Sequence, residues 1–350
     1  MPAKADGRRR LLLDLLRDGP LPVRQLATAL GVSAVTVRRD VEALSSTGRL
    51  SRAQGRVART DPGDDEGPVI GMLVPAIDRH HGELIRGARE AVARAGARLV
   101  LGVCGDAPGA AQSQLGLLVD AGATGVLLAP RWPAQGVQPA DETPVLGPGM
   151  PAVLVERRGE PGTALAGLDS VRTDHAHGIG LALRHLAARG RRRIGLLTDP
   201  GSPVSATLLA GHRELVGALG LAGPRCASVE ELATAAAAGQ LDAAVVHPDE
   251  DALRLLQAAQ ALGLDVPRDL ALVAYGDDVA ALADVPLTAV SLPRASVGEA
   301  AATLLLRRLG AGDGASEALD GPYRHLDLLP RLYVRVSCGD HLDGAAARPA

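Results

Sequence analysis

The stretch "GVSAVTVRRDVEAL", Gly31 to Leu44, decides how the front of this chain is read. Val37, Val41 and Leu44 recur at i, i+4 and i+7, which sets them on one buried face of a helix. At about 100° per residue, Val35, Arg39 and Glu42 then face outward, with Thr36 and Arg38 on the flanks. Ser33 stands where a side-chain oxygen can cap this helix, and Gly31 where a left-handed residue can close the one before it. That preceding helix is "VRQLATAL", whose apolar face is Val23, Leu26, Ala27 and Leu30, with Arg24 off that face. Upstream, "RRRLLLDLLRDG" spaces Leu11, Leu12, Leu15 and Leu16 as a first helix of about three turns that stops at Gly19-Pro20. Downstream, "RLSRAQGRVAR" alternates around Gln54-Gly55, which predicts a short basic hairpin, a wing.

Charge separates this head from the rest. Residues 1–60 hold twelve basic and five acidic side chains, a net +7, while the whole chain of 350 residues is −3, which leaves −10 for the remainder. A basic head on an acidic body is the composition of a polyanion-binding module joined to something else. Outward arginines near a helix N-terminus suit the DNA major groove, where a bidentate arginine–guanine contact discriminates by about 1–3 kcal/mol. Arg38 and Arg39 are expected to divide between phosphate and base. The candidate DNA-contacting residues are Arg24, Ser33, Val35, Thr36, Arg38, Arg39, Arg52, Gln54 and Arg56. The competing reading is a helical hairpin whose arginines only solvate a face.

The head resembles the DeoR-family winged helix-turn-helix. The resemblance rests on Leu30-Gly31-Val32-Ser33, Thr36-Val37-Arg38-Arg39-Asp40, Leu44, Gly48, Leu50 and Arg52, within residues 8–57. In the wing this chain has Gln54-Gly55-Arg56 where that family tends to show His-Gly-Gly. The head is expected to span residues 1–59.

Residues 60–68, "TDPGDDEGP", carry four acidic side chains without apolar periodicity and read as a linker that phosphate would repel. The body then alternates apolar strands ("VIGMLVP", "RLVLGVC", "TGVLLAP", "PAVLVE") with amphipathic helices, and a second run follows through "RRIGLLTD", "DAAVVH" and "LALVAYG". Two such runs predict two lobes with parallel sheets covered on both faces, over residues 69–338. Residues 339–350 are expected to be a disordered tail. The expected fold class is α/β, an N-terminal winged helix-turn-helix followed by a two-lobed domain.

The enzyme classes find little support. The chain has no GxxxxGK[ST] loop, no GxGxxG after a strand and no GxSxG elbow. Asp277-Asp278 and Asp249-Glu250-Asp251 read as helix caps or solvated carboxylates rather than metal ligands, and His80-His81 and His175 with His177 stand apart from any cysteine. Cys104, Cys226 and Cys338 lie far apart and read as buried thiols. No cofactor and no metal are expected. An apolar fraction of 47% without a membrane-length apolar run or signal peptide leads to the expectation of a cytoplasmic protein without a membrane partner.

The body resembles the periplasmic-binding-protein-like effector domain of LacI/GalR-family regulators. The resemblance lies in "ELIRGAREAVARAGARLVLG", "VRTDHAHGIGLALRHLAARGRRRIGLLT", "DVPRDLALVAYGDDVAALADVPLTAVSLPRASVGEAAATLLLRRL" and "LLPRLYVRVSCG". It implies two lobes that close over a small ligand, and side-by-side dimerisation. Three positions depart from the family's sugar-anchoring pattern: Leu208 for an arginine, Gly276 for an aspartate, and Pro248-Asp249 for Asn-Asp. Ligands of open α/β sheets sit beyond the carboxyl ends of the strands. The candidate effector residues are therefore His80, His81, Glu156, Arg157, Asp174, His247, Asp249 and Asp277, with Trp132 and Tyr275 as stacking platforms.

Together these imply a homodimeric DNA-binding transcriptional regulator, a repressor, whose operator affinity responds to a sugar, sugar derivative or nucleoside. LacI-family proteins place a hinge helix in the minor groove; the acidic linker here favours rigid-body transmission instead. Two alternatives stay open: a constitutive DNA-binding regulator with a degenerate pocket, and a catalytic α/β protein with an accessory DNA-binding module.

Overall fold

The computed structural model describes residues 8, 11–12, 15–16, 21–45, 50–53, 56–59, 67–105, 109–129, 146, 149–159, 161–163, 165–311 and 321–339. Most of the linker and the tail beyond residue 339 lie outside the described residues. The chain divides into two compact units, Met1–Val69 with Ala95–Arg98, and Ile70–Arg94 with Leu99–Ala350.

In the head, Arg8, Leu11, Leu12 and Leu15 are helical. Then follow strand β1 (Leu21–Pro22), helix α1 (Val23–Leu30), helix α2 (Ala34–Ser45), and strands β2 (Leu50–Ala53) and β3 (Arg56–Arg59). Gly31 takes φ 63° and ψ 30°, the left-handed conformation that closes α1, and its N–H reaches the carbonyls of Ala27 and Thr28. The wing is antiparallel, with Leu50 opposite Arg59 and Ala53 opposite Arg56, so Gln54 and Gly55, themselves outside the described residues, connect the strands. β1 adds a third strand against β3, with Leu21 opposite Val57. Leu12, Leu16, Leu26, Val37, Val41, Leu44, Leu50 and Val57 form one buried cluster. The core thus ties the first helical stretch, both later helices and the wing into one module.

The body has two sheets. The first-lobe sheet runs in the order β13-β8-β7-β6-β4-β5. Its strands are β4 (Val69–Val74), β5 (Arg98–Val103), β6 (Ala123–Leu128), β7 (Ala152–Val155), β8 (Asp169–Thr173) and β13 (His325–Leu328). The second-lobe sheet runs in the order β14-β12-β11-β10-β9, from β9 (Ile194–Thr198), β10 (Ala243–His247), β11 (Ala271–Tyr275), β12 (Thr288–Ser291) and β14 (Arg331–Tyr333). β9, β10, β11 and β12 are parallel, and β14 joins antiparallel at the edge. The sequence predicts β4 to β7 and β9 to β11, and each forms.

Burial on both faces explains the apolar runs. Along β10, Ala244 and Val246 enter one core with helices α7 (Val229–Ala237) and α8 (Asp249–Ala261). Ala243 and Val245 enter the other core, with α5 (His175–Ala188) and α6 (Ser205–Ala218). Strand side chains alternate between faces, so a strand covered twice has no polar positions left. In the first lobe, α3 (Arg79–Arg94) and α9 (Arg294–Arg308) cross closely, and α4 (Ala110–Asp120) lies between β5 and β6 in sequence. α9 follows the last parallel strand of the second lobe yet packs on β6, β7 and β8, returning the chain to the first. All three cysteines are buried.

Candidate functional site

Two places collect the expected residues. In the head, Ser33 Oγ accepts a hydrogen bond from the Thr36 backbone N–H at 3.2 Å and lies 2.9 Å from Thr36 Oγ1, the expected cap. Val35, Arg38 and Arg39 are exposed, as are Arg24 on α1 and Arg56 on β3. Arg52 lies in β2 opposite Val57, but its side chain, like that of Glu42 and all of Gln54, is outside the described residues. The structural role of Asp40 escaped the sequence reading. Asp40, 3% exposed, faces inward and accepts from Arg8 Nε at 2.5 Å and Nη2 at 3.3 Å. Arg8 holds that buried charge, so the first helical stretch positions α2. The spacing could have revealed it, because Asp40 falls beside the Val37–Val41 stripe rather than opposite to it.

In the body, the ends of the strands converge from both lobes. Glu156 follows β7 with φ 57°, and its carboxylate accepts from Thr173 N and Thr173 Oγ1, both at 2.9 Å. Burial pushes its pKa up, against those hydrogen bonds. Asp174 caps α5 by accepting from His177 N at 2.8 Å. His81 donates its backbone N–H to Asp78 Oδ1 at 2.8 Å, with its ring Nδ1 2.7 Å from the same oxygen. His80 and His175 are held by burial at about 3, so both rings are neutral near pH 7. Arg157 is half-buried and Trp132 lies outside the described residues.

A chain of contacts runs across the second-lobe strand ends. Ser202 Oγ meets His247 Nε2 at 3.0 Å, His247 Nδ1 meets the Tyr275 carbonyl at 3.0 Å, and Tyr275 Oη meets His175 Nδ1 at 3.0 Å. Tyr275 departs from the expected stacking platform. Its ring is 0% exposed and belongs to the core beside Leu208, because Gly178 makes room: a Cβ there would come 2.4 Å from the phenol oxygen. Burial raises the phenol's pKa.

The carboxylates have structural work. Asp249 Oδ2 accepts from the backbone N–H groups of Asp278 at 2.6 Å, Val279 at 2.7 Å and Ala280 at 3.3 Å. Asp277 forms a two-pronged pair with Arg335, at 2.7 and 2.9 Å. Asp278 accepts from Arg294 Nη1 at 2.8 and 3.0 Å and pairs with Arg79 Nε at 3.3 Å. Among the described residues, no group of three or more His, Cys, Asp and Glu is placed to hold a metal ion.

Arg294, at the start of α9, was missed in the sequence. Its charge acts on His80, His175, His247 and Glu156, and its Nε is buried without a hydrogen-bond partner. A buried guanidinium N–H without an acceptor is uncommon in a folded chain and marks a place where a polar group could be received.

Comparison with known proteins finds two domain types in the chain. Residues 8–62 match the DeoR-like helix-turn-helix domain and residues 183–338 the periplasmic binding protein-like domain. The HTH-type transcriptional regulator MalR of Streptomyces coelicolor is 26% identical over 93% of this chain and 98% of its own length. The lac repressor dimer bound to operator and an anti-inducer has the same fold, with a TM-score of 0.62 at 19% identity over 79% of this chain and 95% of that one. So does the regulator CelR in complex with cellobiose, with a TM-score of 0.60 at 24% identity over 87% and 91%. No helix among the described residues is long and apolar enough to cross a membrane.

Proposed function

We propose that this chain, which joins a DeoR-like helix-turn-helix domain to a periplasmic-binding-protein-like body, is a cytoplasmic transcriptional repressor whose operator affinity is set by a small polar metabolite. The observation that carries the reading is the capped helix α2, which holds Val35 and Arg39 outward on a head of net charge +7 while Asp40 anchors it from inside. Its relative MalR is a transcriptional regulator, and the fold neighbours are a repressor on its operator and a regulator with a bound sugar.

The chain acts as a homodimer, so two heads meet two half-sites about one helical turn apart in an imperfect palindrome. The effector sits between the lobes, on Arg294, His80 and His175. A coupling of about 1–3 kcal/mol between the two sites changes operator affinity from several-fold to over a hundredfold. Rigid-body motion carries the signal, since the acidic linker is repelled by phosphate. The chemistry is recognition rather than turnover.

The test is duplex binding by the full chain at several salt concentrations. Affinity falling steeply with salt, and lost in Arg39→Ala, supports the reading; affinity indifferent to both removes it. Alanine replacement of residues 61–68 that abolished binding as completely as Arg39→Ala would refute rigid-body transmission. A thermal-shift screen of sugars, sugar phosphates and nucleosides addresses the cleft, because a ligand at 100 times its Kd adds about 2.7 kcal/mol of stability. A screen with no hit would favour the constitutive regulator, a reading motivated by Leu208 lying in the core.

A further inference from the structure

The outward face of α2 carries an unlike pair. Val35 is 58% exposed, although the helix's other valines, Val37 and Val41, are fully buried. A β-branched apolar side chain on a wet helix surface loses rotamer freedom and gains no burial, so it serves the helix less well than alanine or glutamate would. Arg39 stands four residues on, exposed and without an ion-pair partner among the described residues. That separation is about 6 Å along the axis and about 40° around it. Measured from the buried stripe of Val37, Val41 and Leu44, these two side chains straddle the outermost line of the helix, while Arg38 lies on the flank. Their neighbours are occupied: Ser33 and Thr36 form the cap, and Asp40 holds Arg8.

We propose that Val35 and Arg39 read sequence as one unit, Val35 seating the C5-methyl of a thymine and Arg39 gripping O6 and N7 of a guanine, with Arg38 on phosphate. The thymine methyl is the apolar feature of the major-groove edge, so an exposed valine has a matching surface there, and the arginine fork matches guanine. Base pairs rise about 3.4 Å, so a 6 Å offset places the thymine within about two base pairs of the guanine in each half-site. This rests on the DNA-binding reading above.

The test begins with selection of duplexes from a random pool by the full chain, followed by base analogues in the selected site. Uracil for thymine removes only the methyl, and 7-deazaguanine for guanine removes only N7. One uracil position is expected to weaken binding about three- to fivefold, the value of one buried methyl. One 7-deazaguanine position, no more than two base pairs away, weakens it about tenfold. Val35→Ala removes the uracil effect and keeps the other; Arg39→Lys removes the 7-deazaguanine effect and keeps the salt dependence, since the charge remains. Both side chains are exposed, and unchanged melting of the variants checks that the fold is intact. A selected, salt-sensitive site that ignores both analogues, or keeps its sensitivity in the variants, overturns the Val35–Arg39 assignment and leaves the DNA-binding reading standing. Failure to enrich any duplex, with no salt-sensitive affinity, overturns both.

Discussion

Gly276 and Asp249 are best understood together. The backbone at Gly276 has φ 130°, a region that favours glycine, and a Cβ there would lie 3.0 Å from Asp249 Oδ1. Asp249 has turned inward to gather three backbone N–H groups, and the space it crosses must stay free of a side chain. Gly276→Ala is therefore expected to destabilise the body by about 1–3 kcal/mol in thermal or urea denaturation; an unchanged midpoint would show that the turn relaxes without strain. A second prediction concerns pH. His80 and His175 are held at about 3 by burial, against about 6.5 for an unfolded histidine. As pH falls from about 6.5 toward 3, the unfolded chain binds protons that the folded chain does not, so stability is complete above that window and lost within it. His247, His185 and His212, also lowered by burial, act in the same sense, and Glu156, raised by burial, acts in the opposite one. Melting temperature should fall between pH 7 and 5.5, and less steeply in the His80→Gln, His175→Gln double variant; superimposable profiles would contradict neutral burial. At this scale the sequence revealed where Ser33 and Val37 would act, because caps and stripes are local, whereas Asp174, read as an effector residue, caps α5. It concealed Arg294 and Asp278, whose partners lie on elements far away in the chain.

Among elements, the crossing of α3 and α9 is the most constrained. A Cβ on Gly87 would meet the Ala295 carbonyl oxygen at 1.8 Å, and one on Gly298 the Leu84 carbonyl oxygen at 2.0 Å. Backbone faces backbone at both points. Gly298→Ala must push the helices apart and is expected to cost about 1–3 kcal/mol, read as a lower melting temperature, whereas Ala substitution at solvent-facing Gly116 of α4, where no atom comes within 4 Å, should not destabilise. Equal effects at the two positions would mean that the crossing yields. The long elements were legible because their periodicity is strong. Those missed include short or weakly patterned ones: β1 has two residues, β13 is largely exposed at a sheet edge, and α7 is so rich in alanine that its apolar stripe has little contrast. For α7 the signal was present in Ser228 and Glu231: Ser228 Oγ caps the helix by accepting from Glu231 N at 3.2 Å, and Glu231 Oε2 accepts from Ala227 N, one residue before the cap, at 2.7 Å.

Across the body, one carboxylate joins the lobes. Asp278 hangs from the second lobe, its N–H bound to Asp249, and is held by Arg79 at the start of α3 and Arg294 at the start of α9, both packed in the first. Arg79 also donates to the Asp278 carbonyl at 2.7 Å. Asp278→Asn weakens both ion pairs and should let the lobes spread, raising the radius of gyration in solution scattering; an unchanged radius would mean that packing alone sets their spacing. The two-lobed layout was readable in the sequence from its repeated strand–helix rhythm, but the charge that spans it was not, since residues 79, 278 and 294 carry no local sign of meeting. That bridge sets how hard a signal must push. A compound bound between the lobes, as proposed above, would change their spacing only through a difference in its affinity for the two arrangements, not through strength of grip. Altering the single acidic side chain of Asp278 would then retune that response while leaving α2 and the proposed effector residues unchanged.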